Sequence, residues 1–254
     1  MKRLVGLFAA CAAALGGFAA EGDRVIDGET VTVAAEADLG ADVTRVLLRN
    51  GGELAFTNSL WVAKTYAVDG DGLNATGVVS VASGQTIVAN AREKMVNGTL
   101  GHVFVKRGPG TLQFTGGPGV VSAATRWIVE EGVFIQDGGD FFGNHKSTTT
   151  NLTVDVREGA TYRATGAHCP MGPLELTGGT LDLQGSSTTA PWGNTAFRGG
   201  VLVHPAATES FILINGNAHL NHVYADVPFT VESGAVLTVR GMLSDGWNDP
   251  ATAR

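Results

Sequence analysis

The chain has 254 residues, 44% of them hydrophobic, and a mean hydropathy of +0.13, which supplies enough apolar material for a substantial core and excludes a disordered chain. The formal charge of −7 offers no positive field to hold a phosphate backbone, so nucleic acid is excluded as a partner. Glycine is in excess at 36 residues, about twice its usual share, without a collagen period, and charged residues make up only 16% against about 25% in an average domain. A surface covered mainly by Thr, Ser, Asn and Gly, with glycine at the turns, is that of a β-rich extracellular protein.

At the N-terminus, Met1-Lys2-Arg3 is a short positive region, Leu4 to Leu15 is apolar, and Gly16-Gly17-Phe18-Ala19-Ala20 supplies small residues. This order predicts an export signal over residues 1–19, cut after Ala19 so that Gly17 and Ala19 fill the two small pockets of the peptidase. As a membrane anchor the run from Leu4 to Ala20 is short against the roughly 20 residues a bilayer requires, and a lipoprotein reading at Cys11 sits on too short an apolar run. No second stretch of spanning length follows, so no membrane span is expected in the mature chain. Once Cys11 leaves with the signal, Cys169 has no intramolecular partner and a disulfide framework is excluded.

From residue 20 onward the chain repeats. Nine segments align on a glycine: Val25 to Val33, Leu48 to Phe56, Val81 to Ala89, Val105 to Phe114, Val129 to Gln136, Val156 to Ala164, Glu175 to Leu183, Phe197 to His204, and Val231 to Val239. In most of them an apolar residue stands three positions after the glycine and another two positions later, the period of a strand with one buried face. The glycine is a corner where the chain turns sharply. Spacing averages about 26 residues and scatters from 19 (Gly159 to Gly178) to 35 (Gly199 to Gly234). Asn-Gly pairs are too few for a meander of hairpins, and no helical period is sustained past the signal. The fold expected is an all-β, right-handed parallel β-helix, a single solenoid domain over residues 20–254 with inward Val, Leu, Ile and Phe in continuous columns. Charged Glu21-Gly22-Asp23-Arg24 is expected to blunt the first coil, while Gly241 to Trp247 reads as the start of a further coil, so the C-terminus is expected to be truncated.

Val105-Lys106-Arg107-Gly108-Pro109-Gly110-Thr111-Leu112-Gln113-Phe114-Thr115-Gly116-Gly117, followed by Trp127 to Ile135, resembles the autotransporter-associated β-strand repeat of bacterial passenger domains, in which a Lys-x-Gly-x-Gly-Thr-Leu strand leads through a turn to a strand ending in Gly-x-Leu. A looser copy runs from Leu174 to Leu183 and on to Phe197-Arg198-Gly199-Gly200-Val201-Leu202. The resemblance implies an exported cell-surface or secreted scaffold of adhesin type, with the periplasm as an alternative location. Its implied partners are glycans or surface proteins of another cell. The membrane barrel that ends such proteins has no counterpart here.

The rival reading is a polysaccharide-binding or polysaccharide-cleaving β-helix, whose carboxylates would gather across adjacent coils. Asp137, Asp140, His145 and Lys146 are its candidates, against a plainer reading as a solvated turn. His204, His219, His222 and the His168-Cys169 pair raise a metal or nucleophile, but extended His219 and His222 point to opposite faces. Trp61, Trp127, Trp192 and Trp247 would stack on sugars only from a common outer face. Loops at Lys146 to Thr150 and Ser187 to Trp192 are where a binding surface would project. No catalytic, metal or cofactor site is assigned, and the chain is expected not to be an enzyme.

Overall fold

The structure, a computed structural model, describes residues 22–68, 75–90, 95–97, 102–115, 126–137, 153–165, 169–184, 195–197, 199–215, 218–220 and 227–245. The predicted export signal lies outside them. Every strand pairing is parallel, and consecutive strands of each sheet come from successive coils, so the chain is a parallel β-solenoid. The coils whose strands are all described have three faces. The first is a nine-stranded sheet: Thr30–Val33, Gly52–Phe56, Thr76–Val81, Val103–Arg107, Arg126–Val129, Thr153–Val156, Leu174–Leu176, Val201–Val203 and Phe229–Val231. The second has eight strands, from Leu60–Val62 through Thr86–Asn90, Thr111–Thr115, Val133–Asp137, Thr161–Ala164, Thr180–Gln184 and Ser210–Asn215 to Leu237–Arg240. A third face precedes the first in chain order. It comprises two four-stranded sheets, Asp23–Asp27 to Met95–Asn97 and Cys169–Met171 to Leu243–Asp245.

The columns form because side chains alternate across a strand and the register places like positions on top of one another. On the first face, Val31, Leu54, Val79, Lys106, Val129, Val156, Leu176, Val203 and Val231 form one inward column. The second face contributes Leu60, Ile87, Leu112, Phe134, Tyr162, Leu181, Ile212 and Val239. Between the two, Trp127 stacks on Phe104 with centroids 4.2 Å apart, and Phe134 stacks on Tyr162 at 5.4 Å. The main core cluster runs from Ile26 to Ile214, and Val78, Val105 and Ile128 form a second, small buried cluster on the outer side of the first face.

Two polar intrusions are satisfied inside it. Tyr162 donates its hydroxyl to Gln136 Oε1, which stands in a second inward column of the same face. Lys106, the lysine of the Lys-x-Gly-x-Gly-Thr-Leu strand, sits among valines and leucines, fully buried, and its Nζ donates to the carbonyls of Arg107 (3.1 Å), Gly108 (2.5 Å) and Glu131 (2.7 Å). The motif lysine therefore clamps two successive corners from within.

The corners account for the scatter of the repeat. Gly84, Gly108, Gly132, Gly159, Gly178 and Gly234 lie between the first and second faces, whereas Gly28, Gly51 and Gly199 lie between the third and first. The nine glycine-marked segments thus mix two different corners. Within the first face alone the repeat is tighter, from 20 residues (Val156 to Leu176) to 28 (Val203 to Val231). Gly132 shows why the corner needs glycine. Its φ is +70°, and a Cβ there would lie 2.5 Å from the carbonyl oxygens of both Gly108 and Gly110.

At the first coil, Asp23 and Arg24 belong to the first strand of the third face, with Asp23 paired to Arg45 in the next coil (2.5 Å). A 3-10 turn, Glu36–Leu39, takes the place of a second-face strand there and buries Leu39. The Glu36 carboxylate accepts from the backbone N–H of Ala63 and Lys64 and from the Tyr66 hydroxyl, each at 2.9 Å. Burial and the Glu36 charge together push the Tyr66 hydroxyl far above its ordinary pKa. Asp38 closes the turn by accepting from the N–H groups of Ala34 and Ala35. Among the described residues no helix is long and apolar enough to cross a membrane.

Candidate functional site

Among the described residues, an interior cavity lined by Phe56, Val62, Tyr66, Ile87, Phe104 and Phe114 measures about 10 Å³, room for one water at most, and its walls are apolar. On the outside, the first face carries a dense set of charged side chains.

Outward positions of that face stack into columns as the inward ones do. One runs Arg107, Glu130, Arg157, Thr177, His204, Glu232, and its neighbour runs Val105, Ile128, Asp155, Glu175, Leu202. In-register like charges repel from coil to coil; Arg107, Glu130 and Arg157 alternate in sign, and the like-charged neighbours Asp155 and Glu175 share the Arg126 guanidinium. Glu53 meets Arg107 (3.5 Å), Arg107 meets Glu130 (2.7 Å), Glu130 meets Arg157 (2.7 Å), and Arg157 reaches Asp155 (3.6 Å). Asp155 meets Arg126 (3.0 Å), Arg126 meets Glu175 (2.5 Å), and His204 lies between Glu175 (3.6 Å) and Glu232 (3.0 Å). Nine side chains make one unbroken ladder along the solenoid axis.

Asp155 and Glu175 stand in register on adjacent coils, and both contact the same Nη2 of Arg126, so the contacting oxygens lie at most about 5.5 Å apart, no farther than a glycosidase pair. The intervening space is occupied by the Arg126 guanidinium, and the Asp155 side chain is only 7% exposed. A sugar would have to displace the arginine to reach both. At the far end, the hydrogen bond to Glu232 holds the His204 imidazole above its ordinary pKa against partial burial, and the charges of Glu232 and Glu175 add to the effect.

No protein-family model, curated protein or solved structure matches the chain.

The residues singled out from sequence fall as follows. Asp137 ends a second-face strand and accepts from Gln113 Nε2 and Thr165 Oγ1, each at 3.1 Å, so its carboxylate bridges three successive coils. Asp140, His145, Lys146, His168, His222, Trp192 and Trp247 lie outside the described residues, as do the loops at 146–150 and 187–192. Cys169 and His219 fall on third-face strands in different coils. Trp61 is 64% exposed on the outer side of the second face, while Trp127 is core, so these two share no surface. Among the described residues no three His, Cys, Asp or Glu side chains converge to hold a metal ion.

The ladder itself was missed. Its signal is present just before the corner glycines, where Arg107-Gly108, Glu130-Glu131-Gly132 and Arg157-Glu158-Gly159 alternate in sign. Reading it requires the coil register, which glycine spacing alone does not supply.

Proposed function

We propose that the protein is an exported structural scaffold of adhesin type, built to hold a long, regular surface away from a cell, and that it performs no reaction of its own. The observation that carries this reading is the ion-pair ladder: eight of its nine side chains are Asp, Glu or Arg, and each is matched to a partner one or two coils away. Charged groups spent on joining coils serve length and register, and an enzyme of this architecture would leave carboxylates open to substrate. The Lys-x-Gly-x-Gly-Thr-Leu strand supports a kinship with autotransporter passenger repeats, since its lysine and glycines form the clamped corner described above. Expression in a bacterial host with fractionation and surface proteolysis tests the proposal. Export with surface exposure is expected, and retention in the cytoplasm would refute it.

A second reading is favoured by one specific cluster. Asp155, Glu175, Arg126, Arg157 and His204 bring two carboxylates, two guanidinium groups and an imidazole onto one outer face, the chemistry that recognises or cleaves an acidic polysaccharide. A glycan binding screen with lyase and hydrolase assays separates the two readings. Turnover that disappears in Glu175→Gln would replace the scaffold reading with this one.

A further inference from the structure

Asn50 is the single non-glycine residue with a left-handed backbone among the described residues, at φ +49°, and it stands exposed at the corner between the third and first faces of the second coil. Gly51 follows at φ +82°, with open space where a side chain would be. Asn50-Gly51 is therefore an asparagine followed by a backbone nitrogen without steric cover. In such a pair the nitrogen attacks the side-chain amide carbon whenever the two can meet. The fold keeps them apart. Asn50 Nδ2 donates to Asp27 Oδ1 (2.7 Å) in the first coil, whereas the Gly51 N–H donates to the Thr76 carbonyl (2.7 Å) in the third. Electrophile and nucleophile are tied to opposite neighbouring coils, and the proton that the nucleophile must lose is held in a hydrogen bond.

We propose that Asn50-Gly51 is a conformationally gated deamidation site, closed while the corner keeps these two bonds and open when the corner opens locally. In the open corner the Gly51 nitrogen gives its proton to water and bonds to Asn50 Cγ. The Cγ–Nδ2 bond breaks, and Nδ2 leaves as ammonia with a proton taken back from water. Water then adds at either carbonyl of the succinimide ring, restoring the N–H and leaving aspartate or isoaspartate at position 50. Water is the sole co-reactant, and nothing is oxidised or reduced.

The product does not close the corner again. A carboxylate replaces the amide that donated to Asp27, so two like charges face each other where a 2.7 Å hydrogen bond stood. Isoaspartate also adds a methylene to the main chain. The corner has no slack to absorb it, because at the next residue, Gly52, even a Cβ would lie 2.0 Å from the Ile26 carbonyl oxygen. Each opening that ends in reaction therefore loosens the join between the first three coils permanently. The site goes beyond the scaffold reading and is independent of it.

Peptide mapping by mass spectrometry tests the proposal on the purified chain, incubated in mild alkali either folded or unfolded in guanidinium chloride. Conversion at Asn50 is expected in both, about ten- to thousand-fold slower in the folded chain. Asp27→Ala, which frees the Asn50 amide, is expected to raise the folded rate about three-fold or more and to leave the unfolded rate unchanged. Asp27 is exposed, so this variant is expected to fold, and a second measurement does not depend on it. Asn50→Asp, the product written into the sequence, is expected to speed amide hydrogen exchange at Gly28 and Gly51, whose N–H groups bond the Arg49 and Thr76 carbonyls, about three-fold or more. Equal rates in the folded and unfolded chains, or no product from the folded chain, overturn the proposal. So does a folded rate indifferent to Asp27→Ala, or exchange at Gly28 and Gly51 that Asn50→Asp leaves unchanged.

Discussion

Replacing Lys106 by methionine keeps the length of the side chain and removes its charge from the middle of an apolar column. In the native coil the ammonium is fully buried and donates to the carbonyls of Arg107, Gly108 and Glu131. Burial pushes its pKa down from 10.5 to about 8, with the Glu131 charge opposing the fall. Between these two values the unfolded chain still holds a proton that the folded chain has released, so this group's contribution to stability rises with pH across that window and is flat below it. A displacement of this size corresponds to about 3 kcal/mol. At pH 7, Lys106→Met leaves the corner carbonyls without their charged donor while relieving the desolvation of an ammonium, and a net loss of about 1–3 kcal/mol is expected. From pH 8 to 10.5 the gap between wild type and variant should widen by about 3 kcal/mol more, because only the wild type gains. Chemical denaturation of both proteins at pH 7, 8.5 and 10 measures the gap, and ionisations common to the two, including those of the tyrosines, cancel. Parallel stability curves would refute the assignment of Lys106 as a buried, destabilised cation.

Truncation of Phe114→Ala empties the centre of the aromatic stack, where the ring lies 5.1 Å from Phe134 and 5.5 Å from Trp127; a loss of about 3–5 kcal/mol and a red shift of Trp127 emission are expected in denaturation followed by fluorescence. Gly132→Ala and Gly159→Ala share a positive φ, but only the first drives a Cβ into two carbonyls, so thermal melts should show a loss of about 1–2 kcal/mol for Gly159→Ala and clearly more for Gly132→Ala; equal losses would mean that conformation alone sets the cost. Glu36→Ala removes the acceptor for three donors at the first coil and is expected to cost about 2–4 kcal/mol, with proteolysis starting near the 3-10 turn. The raised pKa of His204 means that its ion pairs stabilise the fold fully below the unfolded value near 6.5 and cease to do so as pH rises through the folded value; the side chain is 31% exposed, so His204→Gln should shift stability by well under about 1 kcal/mol at pH 5.5 and by nothing at pH 8.5.

The all-β class, the parallel stacking and the inward Val, Leu, Ile and Phe columns were all legible from residue order, because strand alternation and corner glycine are local properties of the chain. Leu112, Phe134, Leu181 and Val239 follow the corner glycines Gly108, Gly132, Gly178 and Gly234 at offsets of two to five residues and all fall in one column. What residue order could not tell was which corner a glycine occupies, since Gly28 and Gly84 turn the chain at different edges with the same backbone geometry. That ambiguity hid everything dependent on register: the ladder joining Glu53 to Glu232, the contact of Asp155 and Glu175 with one guanidinium, and the burial of Lys106, which by composition alone belongs at the surface. Register is a relation between residues 20 to 28 positions apart, imposed by backbone hydrogen bonds between coils, and only the tertiary structure decides it. The 3-10 turn at Glu36–Leu39 has the same dependence, for it is held only through its bonds to Ala63, Lys64 and Tyr66, about one coil further along the chain.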